Sequence, residues 1–417
     1  MTGEPTVPVH RPLTDLQQSM LAHEALQGVP LYNVPRLFRL SGPVDVDALQ
    51  EAFRHVVRRH PVLRCTFDAD HAVEAGDVVP LPELDLRGGL ARHDAVSALA
   101  PVWETPFRPA EEVPVRAVLA TVSPDEHHLA LCLHHVVADS WSLSLLLRDL
   151  AAAYVRLLHG GKPDDTAAPD FFALAAAERA RTWDTAWWRE RLAGAPPQPR
   201  PREEPPPHDQ QGTHTRMDLR LDAAATRGLR SLARLARVSP AVVLFTAVST
   251  AVATAEAPHE STLGLPAVLR DTLERQETVG PLLNTLPVRT SWTGAHSGTA
   301  LVQEHHASVE AALAHKGVPY SRIIKASGAR RRPTPLYLHV VNVDNEAPRL
   351  RLPRVRVTPT PILPRWAVFP AHWVFSWGTV GNITGVLHAG LDAFTHDQAT
   401  TYGERFRSSL RRLLRGV

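Results

Sequence analysis

Leu129-Ala130-Leu131-Cys132-Leu133-His134-His135-Val136-Val137-Ala138-Asp139-Ser140-Trp141-Ser142 reads as a strand that runs straight into a helix. Side chains alternate across a strand. Leu129, Leu131, Leu133 and His135 therefore share one face, and Ala130, Cys132 and His134 share the other. The two adjacent histidines point in opposite directions, so at most one of them serves a given site. The spacing predicts a strand from Leu129 to Val137. Asp139, Ser140 or Ser142 can cap the helix that follows, which runs through Leu145 and Tyr154 to Gly160-Gly161. A turn held by rigid elements on both sides is a good place for a reactive imidazole. A neutral imidazole is also the side chain best suited to take a proton near neutral pH. The bland alternative is a satisfied core histidine, since adjacent pairs also occur at His127-His128 and His305-His306.

The elements around this stretch follow from local signals. Thr14-Asp15-Leu16-Gln17 carries the reciprocal cap of a helix start, and Gly28 ends that helix. Asn33–Leu40 reads as a strand. Asp45 opens a helix that Pro61 stops after His60. Val62–Phe67 and Val115–Val122 read as strands. Seven prolines with charged neighbours between Ala195 and Pro207 read as a semi-rigid linker between two halves. Beyond it, helices are expected at Ala223–Arg237, Pro240–Ala253 and Thr299–Lys316. Strands are expected at Thr262–Ala267, Leu286–Thr290, Leu336–Val343 and Gly381–Leu391. Helices and strands are interspersed without a regular βαβ repeat, which favours an α+β class with two domains, residues 1–180 and 181–417.

Composition excludes several classes of function. A chain of 417 residues with a formal net charge of +2 has no electrostatic reason to bind nucleic acid or an anionic membrane. No apolar run is long enough to cross a bilayer, and Met1–His10 lacks the pattern of a secretion signal. Two cysteines, Cys65 and Cys132, cannot form a disulfide framework, so a cytoplasmic setting is expected. No Cys/His cluster has zinc spacing, so neither a metal nor a bound cofactor is expected.

Several segments, taken in order, resemble the condensation domains of nonribosomal peptide synthetases, within the chloramphenicol-acetyltransferase-like superfamily. His134-His135-Val136-Val137-Ala138-Asp139-Ser140 resembles that family's His-His-x-x-x-Asp-Gly motif, with Ser140 in place of its glycine. Pro12-Leu13-Thr14-Asp15-Leu16-Gln17 is similar to its opening motif. Arg59-His60-Pro61-Val62-Leu63-Arg64-Cys65-Thr66-Phe67 resembles its Arg-His-x-x-Leu-Arg-Thr-x-Phe motif. Trp188–Pro196 resembles the entry to its second half, and Val279–Arg289 its Gly-x-x-x-Asn-Thr-x-x-x-Arg motif. His315–Tyr320 and Arg332–Tyr337 are similar to two later motifs. The likeness spans nearly the whole chain.

The resemblance implies two acetyltransferase-like lobes in a V-shaped pseudo-dimer with a central tunnel, a floor crossing near 264–289, and a latch near 373–391 reaching over the first lobe. It implies that His135 is catalytic, orienting or deprotonating the acceptor. Asp139 would be structural, paired with Arg64, while His134 packs behind and Ser140 alters the turn. Asn284, Trp141 and Gly280 would belong to the tunnel and floor. The donor would be an acyl or aminoacyl thioester on the phosphopantetheine arm of a carrier protein acting in trans. The acceptor would be a small-molecule or carrier-bound amine or hydroxyl. Paired aspartates of the cyclising relatives and the extra acidic motif of the epimerising relatives are absent. An acyl-coenzyme A-dependent acyltransferase and a catalytically inactive recruitment platform are the alternatives. Trp373, Phe375 and Trp377 read either as an aromatic acceptor pocket or as a packed strand, and Arg330-Arg331-Arg332 as a basic docking loop or a solvated one.

Overall fold

In the computed structural model, residues 9–415 are described apart from 77–78, 89–93, 197, 199–201, 254–256, 294–296, 329–334, 345–347, 363–364 and 379–381. The Arg330–Arg332 run therefore lies outside the described residues. The chain forms two compact units. The first comprises residues 1–181 together with 270–282 and 347–364, and the second comprises 182–269, 283–346 and 365–417. Helices and strands are interspersed in both, which is the α+β class expected.

The first unit is built on a five-stranded sheet in the spatial order Arg356–Thr360, Asn33–Ser41, Glu126–His134, Val115–Ser123, Glu83–Asp85. The strand of the opening stretch, Glu126–His134, thus lies at the centre. It pairs antiparallel on both sides, with Asn33 opposite His134 and Val115 opposite Leu133. The expected alternation holds along it. Ala130 and Cys132 join Leu37, Leu99 and Val122 in a cluster on one face, while Leu131 and Leu133 face Val56, Val57, Leu143 and Leu147. Those last four residues come from the helices Val46–Arg59 and Ser140–Leu158. The strand stops at His134, and His135–Val137 is a turn. The alternation that the sequence carries through His135 therefore ends one residue early.

Local signals elsewhere behave as their chemistry requires. Thr14 and Gln17 form both halves of the capping box, and Gly28 closes that helix in the left-handed region at φ 66°. Asp45 caps Val46–Arg59 by accepting from Ala48 N–H. The expected strand Val62–Phe67 is a short 3-10 turn at Pro61–Arg64 followed by the strand Cys65–Phe67, because proline fixes the helical φ and withholds a ladder donor.

The second unit carries a six-stranded mixed sheet in the order Leu283–Ser291, Glu260–Val268, His339–Asp344, Ala371–Trp377, Ile383–Gly390, His214–Asp218. Its core gathers Trp373, Phe375, Leu387 and Val341 from the sheet with Val243, Leu244, Phe406 and Leu410 from helices. Trp373 and Phe375 are fully buried and pack on Phe406. They are core residues of a packed strand rather than an acceptor pocket. One expectation about connections is corrected. The proline-rich stretch belongs to the second unit, where Arg202 N–H donates to Ala393 O and Arg202 Nη1 to Leu391 O. The segment near 373–391 pairs within the second unit's own sheet, while the late strand that joins the first unit's sheet is Arg356–Thr360, paired with Asn33–Ser41. Residues 270–282 belong to the first unit, while Glu260–Val268 and Leu283–Ser291 on either side of them pair with each other in the second unit.

Buried histidines make this fold sensitive to acid. His305 Nδ1 donates to Leu301 O at 2.9 Å, and its Nε2 accepts from Ser249 Oγ at 2.9 Å. Burial pushes the His305 imidazole down to about 4 and that of His339 to about 3. An unfolded histidine titrates near ~6.5, so between that value and pH 4 the unfolded chain binds more protons. The stability these groups contribute is complete above pH ~6.5 and is lost as the pH falls through that window. For His305 alone the loss is on the order of 3 kcal/mol. Urea midpoints measured from pH 7 to pH 4 should fall steadily. The decline should be shallower in His305→Gln, whose side chain does not titrate.

Candidate functional site

Four short contacts fix the turn that presents His135. Its own N–H donates to Tyr32 O at 2.8 Å. Gln17, fully buried, accepts Thr14 N–H on its carbonyl and donates its amide to Val136 O at 2.8 Å, so one side chain serves both the helix cap and the turn. Val136 N–H donates to His134 Nδ1 at 3.0 Å, and Val137 N–H to His134 O at 3.1 Å. His134 Nδ1 is therefore the acceptor nitrogen, and its Nε2–H donates to Glu24 Oε2 at 2.7 Å. Fully buried, with Phe107 and Tyr32 edge-on to its ring, His134 braces the turn from behind.

His135 itself is half-buried. Its Nδ1 is enclosed and meets no hydrogen-bond partner among the described residues. Burial lowers its pKa from the ordinary value, and the Asp139 carboxylate partly opposes that shift. The ring is consequently neutral at neutral pH and bonds to no other side chain, which is the state required to accept a proton or a hydrogen bond from a reacting group.

Asp139 is the cap of the Ser140–Leu158 helix and is almost fully buried. Its Oδ1 accepts Ser142 N–H at 2.7 Å, and Leu282 N–H reaches Oδ2 at 3.1 Å. Arg270 Nη2 lies 2.9 Å from Oδ1 and 3.0 Å from Oδ2. The expected partner, Arg64, is elsewhere: its guanidinium pairs with Glu74, and both side chains are partly exposed. The clamp is long-range because Asp139 faces the 270–282 segment of its own unit, whereas Arg64 ends the 3-10 turn that leads into Cys65–Phe67, the strand paired with His71–Glu74. Arg270 also donates through Nη1 to Arg275 O and Thr278 O, both at 2.6 Å, and through Nη2 to Gly280 O at 3.0 Å. One buried guanidinium thus folds its own segment and ties it to the helix cap.

Ser142 and Gly280 complete the clamp. Ser142 Oγ accepts Gly280 N–H at 3.0 Å and Arg270 Nη2 at 2.9 Å. Its single hydrogen serves either Asp139 Oδ1 at 2.7 Å or Gly280 O at 2.8 Å. Gly280 has φ 154°, and a Cβ there would sit 2.0 Å from the buried Phe171 ring. Gly280→Ala should therefore cost about 2–4 kcal/mol through strain and overpacking. Thermal melts should show this loss, and Phe171→Leu should recover part of it in the double variant.

The remaining expected site residues take plainer positions. Trp141 is exposed, donates its indole N–H to Gln276 O at 2.8 Å and lies under the Arg270 guanidinium. Ser140 is exposed and is the first residue of its helix, with no positive φ. The turn therefore does not require glycine there. Asn284 is a brace within the second unit: its amide donates to Lys316 O and Val318 O at 2.9 and 2.7 Å, and its carbonyl accepts Tyr320 N–H at 3.2 Å. Arg270, Glu24 and Tyr32 were not singled out from the sequence, and Ser142 was legible only as a possible cap. Gln17 was legible as a cap, and its second bond was not. Among the described residues no group of histidines, cysteines or carboxylates converges on a metal position.

The family model described as Condensation domain matches residues 8–356. A probable non-canonical nonribosomal peptide synthetase, CymA of Salinispora arenicola, is 34% identical over 75% of this chain, which covers 4% of that protein. The isonitrile lipopeptide synthase of Mycobacterium tuberculosis is 28% identical over 97% of this chain and 17% of its own length. The chain thus spans a small part of the curated relatives it matches. Among solved structures, the X-domain from teicoplanin biosynthesis superposes with a TM-score of 0.85 at 24% identity, covering 100% of this chain and 97% of that one. SgcC5 of Streptomyces globisporus superposes at 0.78 and 22%, covering 96% and 99%. These two establish likeness of fold. No single helix among the described residues is long and apolar enough to cross a membrane. On the match to residues 8–356, the chain belongs to the condensation-domain family.

Proposed function

We propose that this chain is an acyltransferase that forms an amide or ester bond, transferring an acyl or aminoacyl group from a carrier-protein thioester to an amine or hydroxyl acceptor. In the reaction the acceptor nitrogen or oxygen attacks the thioester carbon, the carbon–sulfur bond breaks, and the phosphopantetheine thiol leaves with a proton. His135 accepts the acceptor's proton, or a hydrogen bond from it, as the nucleophile attacks. The observation that carries this reading is the neutral ring of His135, bonded to no other side chain and held on a turn whose other polar groups are nearly all bonded. Phosphopantetheine is the substrate's tether here, and the carrier acts in trans.

The test is a product assay by mass spectrometry with an acyl-loaded carrier protein and, separately, the same acyl group on coenzyme A. Product from the carrier alone supports the reading. Equal or better use of the coenzyme A donor replaces it with a coenzyme A-dependent acyltransferase. A recruitment platform is the second reading, since one fold neighbour is an X-domain solved in complex with OxyB. It is favoured only if neither donor gives product.

A further inference from the structure

The second unit's sheet has a face that the core does not use. Along Ala371–Trp377, Trp373 and Phe375 turn into the core, so His372 and Val374 turn to the opposite side. There His372 stands directly across from His388 on the neighbouring strand. The edge strand sets Arg216 opposite His388 and His214 opposite Gly390. The His214 and His388 rings meet edge-on with centroids 4.6 Å apart, and Phe369 packs edge-on against His372. All three imidazoles are half-buried rather than sealed. The Nδ1 atoms of His214 and His388 are enclosed without a hydrogen-bond partner among the described residues. His214 also meets the backbone of Arg365, so the Nε2 atom of His388 is the nitrogen of this pair left to a visitor.

The charges around this trio are few. Those acting on His388 are His214, His372, Arg216 and Asp218. Asp218 is already taken by Arg216 Nε and Nη2, at 3.0 and 2.8 Å. Asp344, on the next strand, is in register with Ser376, about 13 Å along the strand from His372. Burial holds His372 and His388 down to about 4, and for His388 the neighbouring His214 and His372 add to the effect. A cluster built this way refuses protons while alone and accepts them once an anion lies across it. Metal chemistry does not compete, since no ligating group of three or more converges among the described residues.

We propose that this sheet face binds the carboxylate of a small organic acid through His372, His388 and His214. The inference rests on the acyl-transfer reading only for the identity of the occupant, an amine acceptor that carries a free carboxylate.

Benzoate is a suitable first probe, followed by imidazole NMR on the intact chain. Its addition should raise the titration midpoints of His372 and His388 by about one pH unit or more. Chloride at the same concentration should not. Calorimetry at pH 6.5 should show free proteinogenic amino acids binding at least tenfold tighter than their methyl esters. Proton uptake should be visible as a heat that changes with the buffer's ionisation enthalpy. His388→Gln and His388→Phe, each checked by thermal melt, should abolish the acid-over-ester preference. Esters that bind as well as acids, unmoved imidazole signals or binding of neither probe would overturn the proposal. No donor or carrier is present in these measurements. Their failure alongside intact acyl transfer sinks the carboxylate surface alone, and carboxylate binding without acyl transfer sinks the catalytic reading alone.

Discussion

Replacement of His135 by alanine is expected to lower kcat roughly 10²–10⁴-fold, the usual range for a positioned proton transfer, while leaving the thermal midpoint almost unchanged. The two halves of that expectation come from the same geometry. The enclosed Nδ1 meets no hydrogen-bond partner among the described residues, and the ring's remaining polar contacts are to the backbone at His135 and Ala138, so its removal strands no side-chain partner. The turn is held by Gln17, Tyr32 and His134, none of which needs the His135 side chain. Burial lowers the His135 pKa, so the active neutral form is complete above the ordinary histidine value of ~6.5. The parent's kcat/KM should accordingly be flat above that pH and fall in acid, with its inflection below 6.5. The variant's residual activity should lack that limb. An unchanged rate in His135→Ala would remove this imidazole from the chemistry. His134→Ala makes an informative contrast. It cuts the bonds to Val136 N–H and Glu24, so it should lower stability and activity together.

Arg270→Ala should be the most damaging change in the clamp, costing about 3–5 kcal/mol in the unfolding transition of the first unit. The guanidinium is almost fully buried and bonds to Asp139, Ser142, Arg275 O, Thr278 O and Gly280 O. Deleting it leaves a buried carboxylate with only its Ser142 and Leu282 bonds and frees the carbonyls that shape the 270–282 segment. Lysine should rescue poorly, because a single ammonium cannot reach both sets of acceptors. Arg270→Met combined with Asp139→Leu should be less destabilised than Arg270→Ala alone, since no charge is then stranded. Arg64→Ala provides the control. Its ion pair with Glu74 is partly exposed, so its loss should cost no more than about 1 kcal/mol. Denaturant midpoints across these variants decide the matter: comparable losses for Arg64→Ala and Arg270→Ala would refute the assignment of the clamp.

Much of the architecture was readable residue by residue. Thr14 with Gln17, Asp45 before Val46 and Gly28 after Gln27 announced their helix ends, because caps and left-handed glycines act within one turn of chain. The stretch Leu129–Leu133 announced a strand and the division of its side chains between two faces. The errors came where the chain's own partners were remote. The proline-rich stretch resembled a linker because composition does not report that Arg202 is bonded to Leu391 and Ala393. Strand propensity likewise does not specify the neighbour in a sheet. Arg356–Thr360, with Pro359 as its penultimate residue, holds an edge position where such a residue is tolerated.

The candidate site divides along the same line. Which residues can do chemistry or cap a helix is a local matter: His135 in a strand-to-helix turn, and Asp139 one residue before Ser140, were both visible in the amino-acid order. The partner of Asp139 was not. Coulomb attraction and desolvation depend on distance and burial, and neither scales with separation along the chain. Arg64 and Arg270 offer the same guanidinium, and folding brings Arg270 to the carboxylate while Arg64 is left with Glu74. The neutral state of His135 arose in the same way, from the packing that surrounds its ring and from no feature of the motif that contains it.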